Sequence, residues 1–93
     1  MTIEEIKKKA RPILKEAGVK RSSIFGSMVR GDATKKSDID ILIEPPKGIG
    51  LFRFIGLEQD LQDALGRPVD LVSFKGLKPR IRARVLREQK PIL

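Results

Sequence analysis

The stretch from Asp38 to Glu44 most constrains the fold of this chain. Its sequence, DIDILIE, alternates isoleucine with aspartate or leucine before the final glutamate. Because successive side chains of a β-strand point to opposite faces, the pattern predicts a strand with one wholly apolar face. Asp38 and Asp40 are two residues apart, so both carboxylates leave the same face of that strand. Other elements must cover the apolar face, and Pro45 and Pro46 end the strand.

A helix precedes this strand. Thr2 and Glu5 form a capping-box pattern, which predicts a helix through about Ala17. Apolar residues recur along it at spacings of three and four, so one of its faces is expected to be buried. Pro12 lies inside this segment and should kink the helix or split it, because proline lacks the amide that a helix interior uses.

Two more helices and two more strands are expected besides this first helix and the strand from Asp38 to Glu44. Apolar periodicity predicts helices over residues 51–65 and 79–89, and apolar runs predict strands over residues 19–25 and 69–74. A short turn or helix follows the first of these strands, and a polar loop spans residues 32–37. The order predicts an α+β fold with α/β character, in which a small mixed sheet of about three strands is covered by helices.

Composition narrows the chemistry. The 93 residues, 40% apolar and 34% charged, are expected to form one globular domain over residues 1–93. The chain has no cysteine and no histidine, which excludes a disulfide framework, a zinc–thiolate site and a Ser-His-Asp triad. A bound metal would therefore have oxygen ligands, which points to Mg²⁺ or Mn²⁺. No apolar run nears the roughly 18 residues of a membrane span, and the charged N-terminus is unlike a signal peptide, so we expect a cytoplasmic protein without membrane contact.

The net charge of +8 is concentrated at the two ends of the chain. Residues 1–21 carry +4, residues 22–74 carry −2 and residues 75–93 carry +6. A basic tail favours an acidic partner, either a nucleic acid or an acidic protein surface. The same pattern is typical of a solvated helix face in a highly charged protein, and the sequence leaves both interpretations open.

Three aspartates are candidate metal ligands. Asp38 and Asp40 share a face of their strand, and Asp70 lies within the apolar run of the third strand, where an unpaired charge is costly. If the two strands are neighbours, about 5 Å apart, the three carboxylates form one cluster that suits two divalent ions in phosphoryl-type transfer. Asp38 could instead cap a turn after Ser37, and Asp70 could be a strand-end residue that faces water.

Gly26 and Ser27 form a candidate phosphate-binding turn. Glycine allows the backbone to approach a ligand closely, and Ser27 could cap a short helix whose first amides point outward. A plain strand-to-helix turn is the alternative, and this is not a Walker A loop because the Gly-Lys-Ser/Thr ending is absent. Arg30 either helps to position a triphosphate or pairs with a nearby acid.

These residues together form a specific pattern. Gly26-Ser27 is followed after ten residues by Asp38-x-Asp40, and Asp70 lies thirty residues further on. The pattern resembles the nucleotidyltransferase superfamily of DNA polymerase beta type, and within it the minimal nucleotidyltransferases. The resemblance covers most of the chain through three segments, IFGSMVRG (24–31), SDIDILI (37–43) and GRPVDLV (66–72).

The resemblance implies a role for each of these residues. Asp38, Asp40 and Asp70 match the carboxylates that bind the catalytic Mg²⁺ ions, and Gly26 and Ser27 match the pair that holds the triphosphate. Such enzymes transfer AMP from ATP to an acceptor hydroxyl and release pyrophosphate. Minimal members are commonly antitoxins that neutralise a HEPN ribonuclease toxin by binding it, by adenylylating one of its tyrosines, or both. The chain shows no separate acceptor domain, so the acceptor is expected on a second protein.

Three functions are compatible with the sequence. The first is a Mg²⁺-dependent protein adenylyltransferase that acts as a type VII-like antitoxin. The second is a non-catalytic antitoxin that neutralises its toxin by binding alone. The third is a nucleic-acid-binding module that uses the basic residues 75–90. It is disfavoured because the chain has four phenylalanines but no tyrosine or tryptophan on which bases could stack.

Overall fold

The structure, a computed structural model, describes residues 1–34 and 36–93. In chain order its elements are α1 (Ile3–Glu16), β1 (Arg21–Phe25), α2 (Ser27–Arg30), β2 (Ile39–Glu44), α3 (Leu51–Leu65), β3 (Val69–Ser73), α4 (Pro79–Glu88) and β4 (Lys90–Pro91). One 3₁₀ turn, Phe74–Gly76, joins β3 to α4. The three long helices and the first three strands confirm the predicted elements, with ends that differ by at most two residues.

The strands form one mixed sheet in the order β3-β2-β1-β4. β1 runs antiparallel to both β2 and β4, whereas β2 and β3 are parallel. A parallel pair needs a crossover connection, which α3 supplies between β2 and β3. The mixed α+β architecture predicted from the sequence is therefore confirmed.

The fourth strand corrects the prediction of about three strands. β4 has only two residues, Lys90 and Pro91, which pair with Ile24 and Ser23 of β1. A run this short carries no periodicity, and a proline argues against a strand except at a sheet edge, where β4 lies. Ile92 follows β4 and is fully buried, so the end of the chain completes the core.

Helices cover both faces of the sheet. On one face α1 and α3 pack over the alternating isoleucines of β2, and these residues belong to the larger of two apolar clusters. On the other face, Leu42, Leu77 and Val85 form a smaller cluster beneath α4. Asp40 lies two residues before Leu42 and therefore shares the α4 face of the sheet. The apolar alternation thus fixes which face carries the carboxylates.

The first helix has the predicted start but continues through its proline. The amide of Glu5 donates to Oγ1 of Thr2 (3.1 Å) and the amide of Thr2 donates to Oε1 of Glu5 (3.2 Å), which confirms the capping box. Of the two effects predicted at Pro12, a kink or a split, the split is wrong, because α1 is one helix from Ile3 to Glu16. Pro12 and Lys8 lie on the exposed side, so the Lys8 carbonyl that loses its usual donor can bond to water.

The connection between α2 and β2 carries the predicted polar loop 32–37, in which Lys35 lies outside the described residues. Of the helices that the structure describes, none is both long and apolar enough to cross a membrane.

Candidate active site

The candidate residues meet at one end of the sheet, where β1 ends and β2 and β3 begin. Phe25, the last residue of β1, is the register partner of Asp40, and Asp40 is the register partner of Asp70 across the parallel β2–β3 pair. Side chains of register partners leave the same face of a sheet from strands about 5 Å apart. Asp40 and Asp70 therefore lie side by side, and Asp38 precedes β2 at the same edge. We call this group of three aspartates the carboxylate edge.

Gly26 packs directly against the carboxylate edge. Its φ of 77° and ψ of −149° form a combination that essentially only glycine adopts. A Cβ at this position would overlap Oδ2 of Asp40 and would lie 3.1 Å from its Cγ. The turn after β1 and the central carboxylate thus adjoin with no room for a side chain between them. The sequence predicted a close approach of this backbone to a ligand, and the close approach that the structure shows is to a carboxylate of the protein itself.

The short helix α2 begins directly after this turn. Gly26 is its N-cap and Ser27 its first residue, and no side-chain hydrogen bond caps it, so the prediction that Ser27 is the cap is wrong. The physical reason is the positive φ at the cap, which glycine adopts freely and serine does not. The first backbone hydrogen bond of α2 runs from the amide of Val29 to the carbonyl of Gly26 (3.1 Å). The amides of Ser27 and Met28 precede it, and amides in this position are the groups that a helix start offers to an anion.

Asp40 lies in an environment that disfavours its negative charge. Burial first, and then the nearby carboxylates of Asp70 and Asp38, raise the pKa of Asp40 from 3.8 to about 6, while the positive charge of Arg30 opposes the rise. Asp38 and Asp70 are exposed, whereas Asp40 is partly buried. A bound cation would remove the repulsion among these groups, and perturbed carboxyls of this kind are enriched at functional sites.

The donor set of the carboxylate edge fits Mg²⁺ or Mn²⁺. Its three side chains offer only oxygen ligands, which these cations prefer. Within the part of the chain that the structure describes, no group of three or more acidic side chains converges closely enough to hold a metal ion by itself. Mg²⁺ usually keeps several waters and is bound by one or two carboxylates together with substrate phosphates. An open edge whose metal is completed by a nucleotide is therefore consistent with this arrangement.

Arg30 ends α2 and makes two ion pairs. Its Nε lies 3.5 Å from Oδ2 of Asp32, and its Nη1 lies 3.3 Å from Oε1 of Glu88. Pairing with nearby acids, one of the two alternatives left open by the sequence, is therefore present. The Arg30 side chain remains 42% exposed and its charge acts on Asp40, so it also stays accessible to an anion at the carboxylate edge.

Glu88, the last residue of α4, was not predicted from the sequence to belong to the site. Besides its contact with Arg30, its Oε1 accepts a hydrogen bond from the backbone amide of Gly26 (3.3 Å). It lies in a basic helix 62 residues after the glycine. No local pattern could have indicated the contact, because it depends on the pairing of β4 with β1.

Arg67 is a second residue that the sequence analysis did not assign to the site. Its Nη2 donates to the carbonyls of Thr34 (2.8 Å) and Ser37 (2.6 Å). It thereby ties the segment before β3 to the loop that leads into Asp38. Arg67 lies within the GRPVDLV segment, which was the one indication in the sequence that it belongs to the site. Spacing alone could not predict which loop it would contact.

A separate cavity lies away from the carboxylate edge. It has a volume of about 720 Å³, and its lining includes Ile13 of α1, Ala17 directly after α1 and Leu57 of α3. These helices pack on the sheet face opposite to Asp40, and none of the candidate residues lines this cavity. The chemistry of the residues therefore favours the carboxylate edge over this cavity as the functional site.

Comparison with known proteins agrees with the fold. The family model of the nucleotidyltransferase domain matches residues 4–92. The chain therefore belongs to the nucleotidyltransferase domain family. A candidate protein adenylyltransferase of Methanocaldococcus jannaschii is 42% identical over 93 residues, which are 100% of both chains. The protein adenylyltransferase MntA of Thermococcus cleftensis is 42% identical over 92 residues, with 95% of this chain and 93% of the relative covered.

Solved structures confirm the minimal nucleotidyltransferase fold. A candidate minimal nucleotidyltransferase superposes with a TM-score of 0.81 at 36% identity, over 98% of this chain and 96% of the other. A toxin–antitoxin complex crystallised with AMP-PNP contains a chain that superposes with a TM-score of 0.81 at 25% identity, over 94% of this chain and 72% of the other. The family predicted from the three sequence segments is therefore correct.

Proposed function

We propose that this chain is a Mg²⁺-dependent protein adenylyltransferase that transfers AMP from ATP to a protein hydroxyl. The observation that carries the proposal is the register of Asp40 with Asp70 directly beside the Gly26 turn. This arrangement supports a site in which the carboxylates and the Gly26 turn contact the triphosphate of the same nucleotide. Membership of the nucleotidyltransferase family supports nucleotidyl transfer, and the names of the two relatives support AMP as the group and a protein as the acceptor.

In this proposal the triphosphate lies along the Gly26 turn. The amide and hydroxyl of Ser27 donate to its oxygens, and the exposed guanidinium of Arg30 offsets its negative charge. Asp38, Asp40 and Asp70 would hold Mg²⁺, with two ions expected and Mn²⁺ as an alternative. When bound, the metal would neutralise negative charge on the triphosphate and on the leaving pyrophosphate.

The proposed reaction joins an acceptor oxygen to the α-phosphorus of ATP. The new oxygen–phosphorus bond forms as the bond from the α-phosphorus to the α–β bridging oxygen breaks, and pyrophosphate leaves with that oxygen. Asp70 is one of the two exposed carboxylates of the set, and in this proposal it accepts the proton of the attacking hydroxyl. The hydrogen-bond donors of the Gly26 turn stabilise the charge that develops on the leaving pyrophosphate.

We propose a HEPN-type ribonuclease toxin as the acceptor protein, with a tyrosine as the attacking residue. The resemblance to minimal nucleotidyltransferases motivates this choice, and the toxin–antitoxin complex crystallised with AMP-PNP supports both the nucleotide and the kind of partner. The chain would then act as a type VII-like antitoxin through a single domain over residues 1–93. ATP is a cytoplasmic metabolite, so we place the reaction in the cytoplasm.

The proposal is tested by incubating the purified chain with Mg²⁺, α-³²P-labelled ATP and a candidate HEPN-type partner protein. We expect label to appear on that protein, and mass spectrometry to place one or more AMP groups on tyrosine. EDTA should stop the reaction because the nucleotide and the carboxylates then lack their shared cation. The absence of any transfer by the wild-type chain would refute the proposal.

Asp38→Asn is the matched variant for this experiment, because it removes one charge and keeps the side-chain shape. We expect it to bind the partner protein while failing to label it. If Asp38→Asn and Asp70→Asn neutralised the toxin as well as the wild type does, neutralisation would come from binding alone, and the enzymatic proposal would be wrong.

A further inference from the structure

Glu88 is the one acidic residue in the basic segment 75–93. Its Oε1 accepts hydrogen bonds from the amide of Gly26 and from Nη1 of Arg30, each at 3.3 Å. One oxygen thus joins the backbone turn and the cation that, in the function proposed above, bind the same triphosphate. We infer that Glu88 is a positioning residue, which holds the Arg30 guanidinium against the Gly26 turn in the geometry that binds Mg²⁺–ATP. This inference rests on the proposed function.

Sheet pairing accounts for the position of Glu88. β4 pairs with β1 so that Ile24 is opposite Lys90 and Ser23 is opposite Pro91. Glu88 is the last residue of α4 and precedes β4 by two positions, so this pairing brings the end of α4 close to the Gly26 turn that follows β1. Main-chain pairing thus holds the end of α4 near the turn, and the Glu88 side chain reaches the Gly26 amide from there.

Burial differs between the two members of the ion pair. The Glu88 side chain is 17% exposed and that of Arg30 is 42% exposed. The carboxylate is thus the covered partner, and the guanidinium keeps free surface with which to contact a phosphate. An acid in the last turn of a helix is disfavoured by the helix dipole, so α4 itself gives no reason for Glu88 to be there.

The negative charge of Glu88 also repels ATP, so two effects of opposite sign compete. Without Glu88, Arg30 would keep only Asp32 as an acidic partner among the residues that the structure describes. Asp32 is 64% exposed and 3.5 Å away, and it would hold the guanidinium toward solvent. Loss of the correct Arg30 orientation should therefore outweigh the relief of repulsion.

The inference is tested by calorimetric titration of the full chain with Mg²⁺–AMP-PNP. We expect Glu88→Gln to raise Kd roughly tenfold, the lower end of what loss of an outer-shell partner costs. Asp32→Asn removes the other carboxylate from Arg30 and is the matched control, for which we expect a change of less than about twofold because an exposed ion pair contributes little. Thermal denaturation of each variant verifies that the titrated protein is folded.

A double-mutant cycle separates positioning from a purely structural role. In an Arg30→Met background, Glu88→Gln should change Kd by less than about threefold, because residues that act through each other are not additive. A structural role would leave the full effect in place and would overturn the inference. A Kd of Glu88→Gln equal to or below that of the wild type would overturn it as well. If the wild type itself failed to bind Mg²⁺–AMP-PNP, the proposed function would fall together with the inference, whereas normal wild-type binding with an unaffected variant overturns the inference alone.

Discussion

Asp40→Asn should reduce AMP transfer by roughly 10³-fold, since a catalytic metal contributes several kcal/mol of charge stabilisation to the transition state. The same substitution should stabilise the metal-free protein at pH 7.5. Asp40 is held beside two other carboxylates and partly buried, which raises its pKa to about 6. Its ionised form is therefore unfavourable in the folded state, and asparagine removes that penalty.

The size and sign of this stabilisation follow from proton linkage. The rise of the Asp40 pKa from 3.8 to about 6 corresponds to an upper bound of about 3 kcal/mol, which solvent screening of this partly exposed side chain reduces to about 1–2 kcal/mol. Between about pH 4 and pH 6 the folded protein binds more protons at this carboxyl than the unfolded chain does, so wild-type stability falls as the pH rises through that window. The advantage of asparagine should thus be near zero at pH 4 and complete above about pH 7.

Thermal denaturation in EDTA at several pH values measures the effect. We expect Asp40→Asn to raise Tm at pH 7.5 by roughly 5–10 °C, since about 1 kcal/mol shifts Tm by about 4–8 °C in a domain of this size. Asp60→Asn, at an exposed aspartate of α3, is the control and should leave Tm nearly unchanged. Added Mg²⁺ should stabilise the wild type more than Asp40→Asn. A variant that is less stable than the wild type at pH 7.5, or that retains more than about a tenth of its transfer rate, would contradict the assignment.

Gly26→Ala should damage both the fold and the site. The backbone conformation at this position costs a non-glycine residue about 1–3 kcal/mol, and the added methyl group would collide with Oδ2 of Asp40. Either the turn or the carboxylate must move, and a displacement of about 1 Å can lower a rate by roughly 10²-fold. We expect chemical denaturation to show the loss of stability and the labelled-ATP assay to show the loss of transfer.

Gly48→Ala is the matched control for this substitution. Gly48 also has a positive φ, of 78°, but nothing lies within 4 Å of a Cβ placed there, and it follows the opposite end of β2. Gly48→Ala should therefore lower the free energy of unfolding by about 1–2 kcal/mol through backbone strain. It should leave AMP transfer by the folded protein unchanged. Equal losses of transfer in the two variants would show that the close approach of Gly26 to Asp40 has no functional role.

Much of this molecule could be predicted from local patterns. The alternation in DIDILIE predicted β2 and the face that carries Asp40, and Thr2 with Glu5 predicted the start of α1. The register of Asp40 with Asp70 could be stated only as a condition, because whether two strands are neighbours depends on the whole fold. Ser27 was mistaken for a helix cap, since its residue type suits a cap while the backbone conformation at position 26 selects glycine.

By itself, the sequence determined the residue types of the site, the side of the strand from which Asp40 leaves and the membership of the nucleotidyltransferase family. The first two properties depend on residue type and periodicity, which are local in the chain, and the third on the resemblance of three short segments to that family. Only the tertiary structure decided that Glu88 meets Gly26 and Arg30 and that Arg67 holds the loop before Asp38. Those contacts join residues 30 or more positions apart, and the pairing that creates the Glu88 contact runs through a two-residue edge strand. Such a strand is too short to leave a pattern in the sequence, so its position is set by the burial of Ile92 and by the free edge of β1 to which it binds.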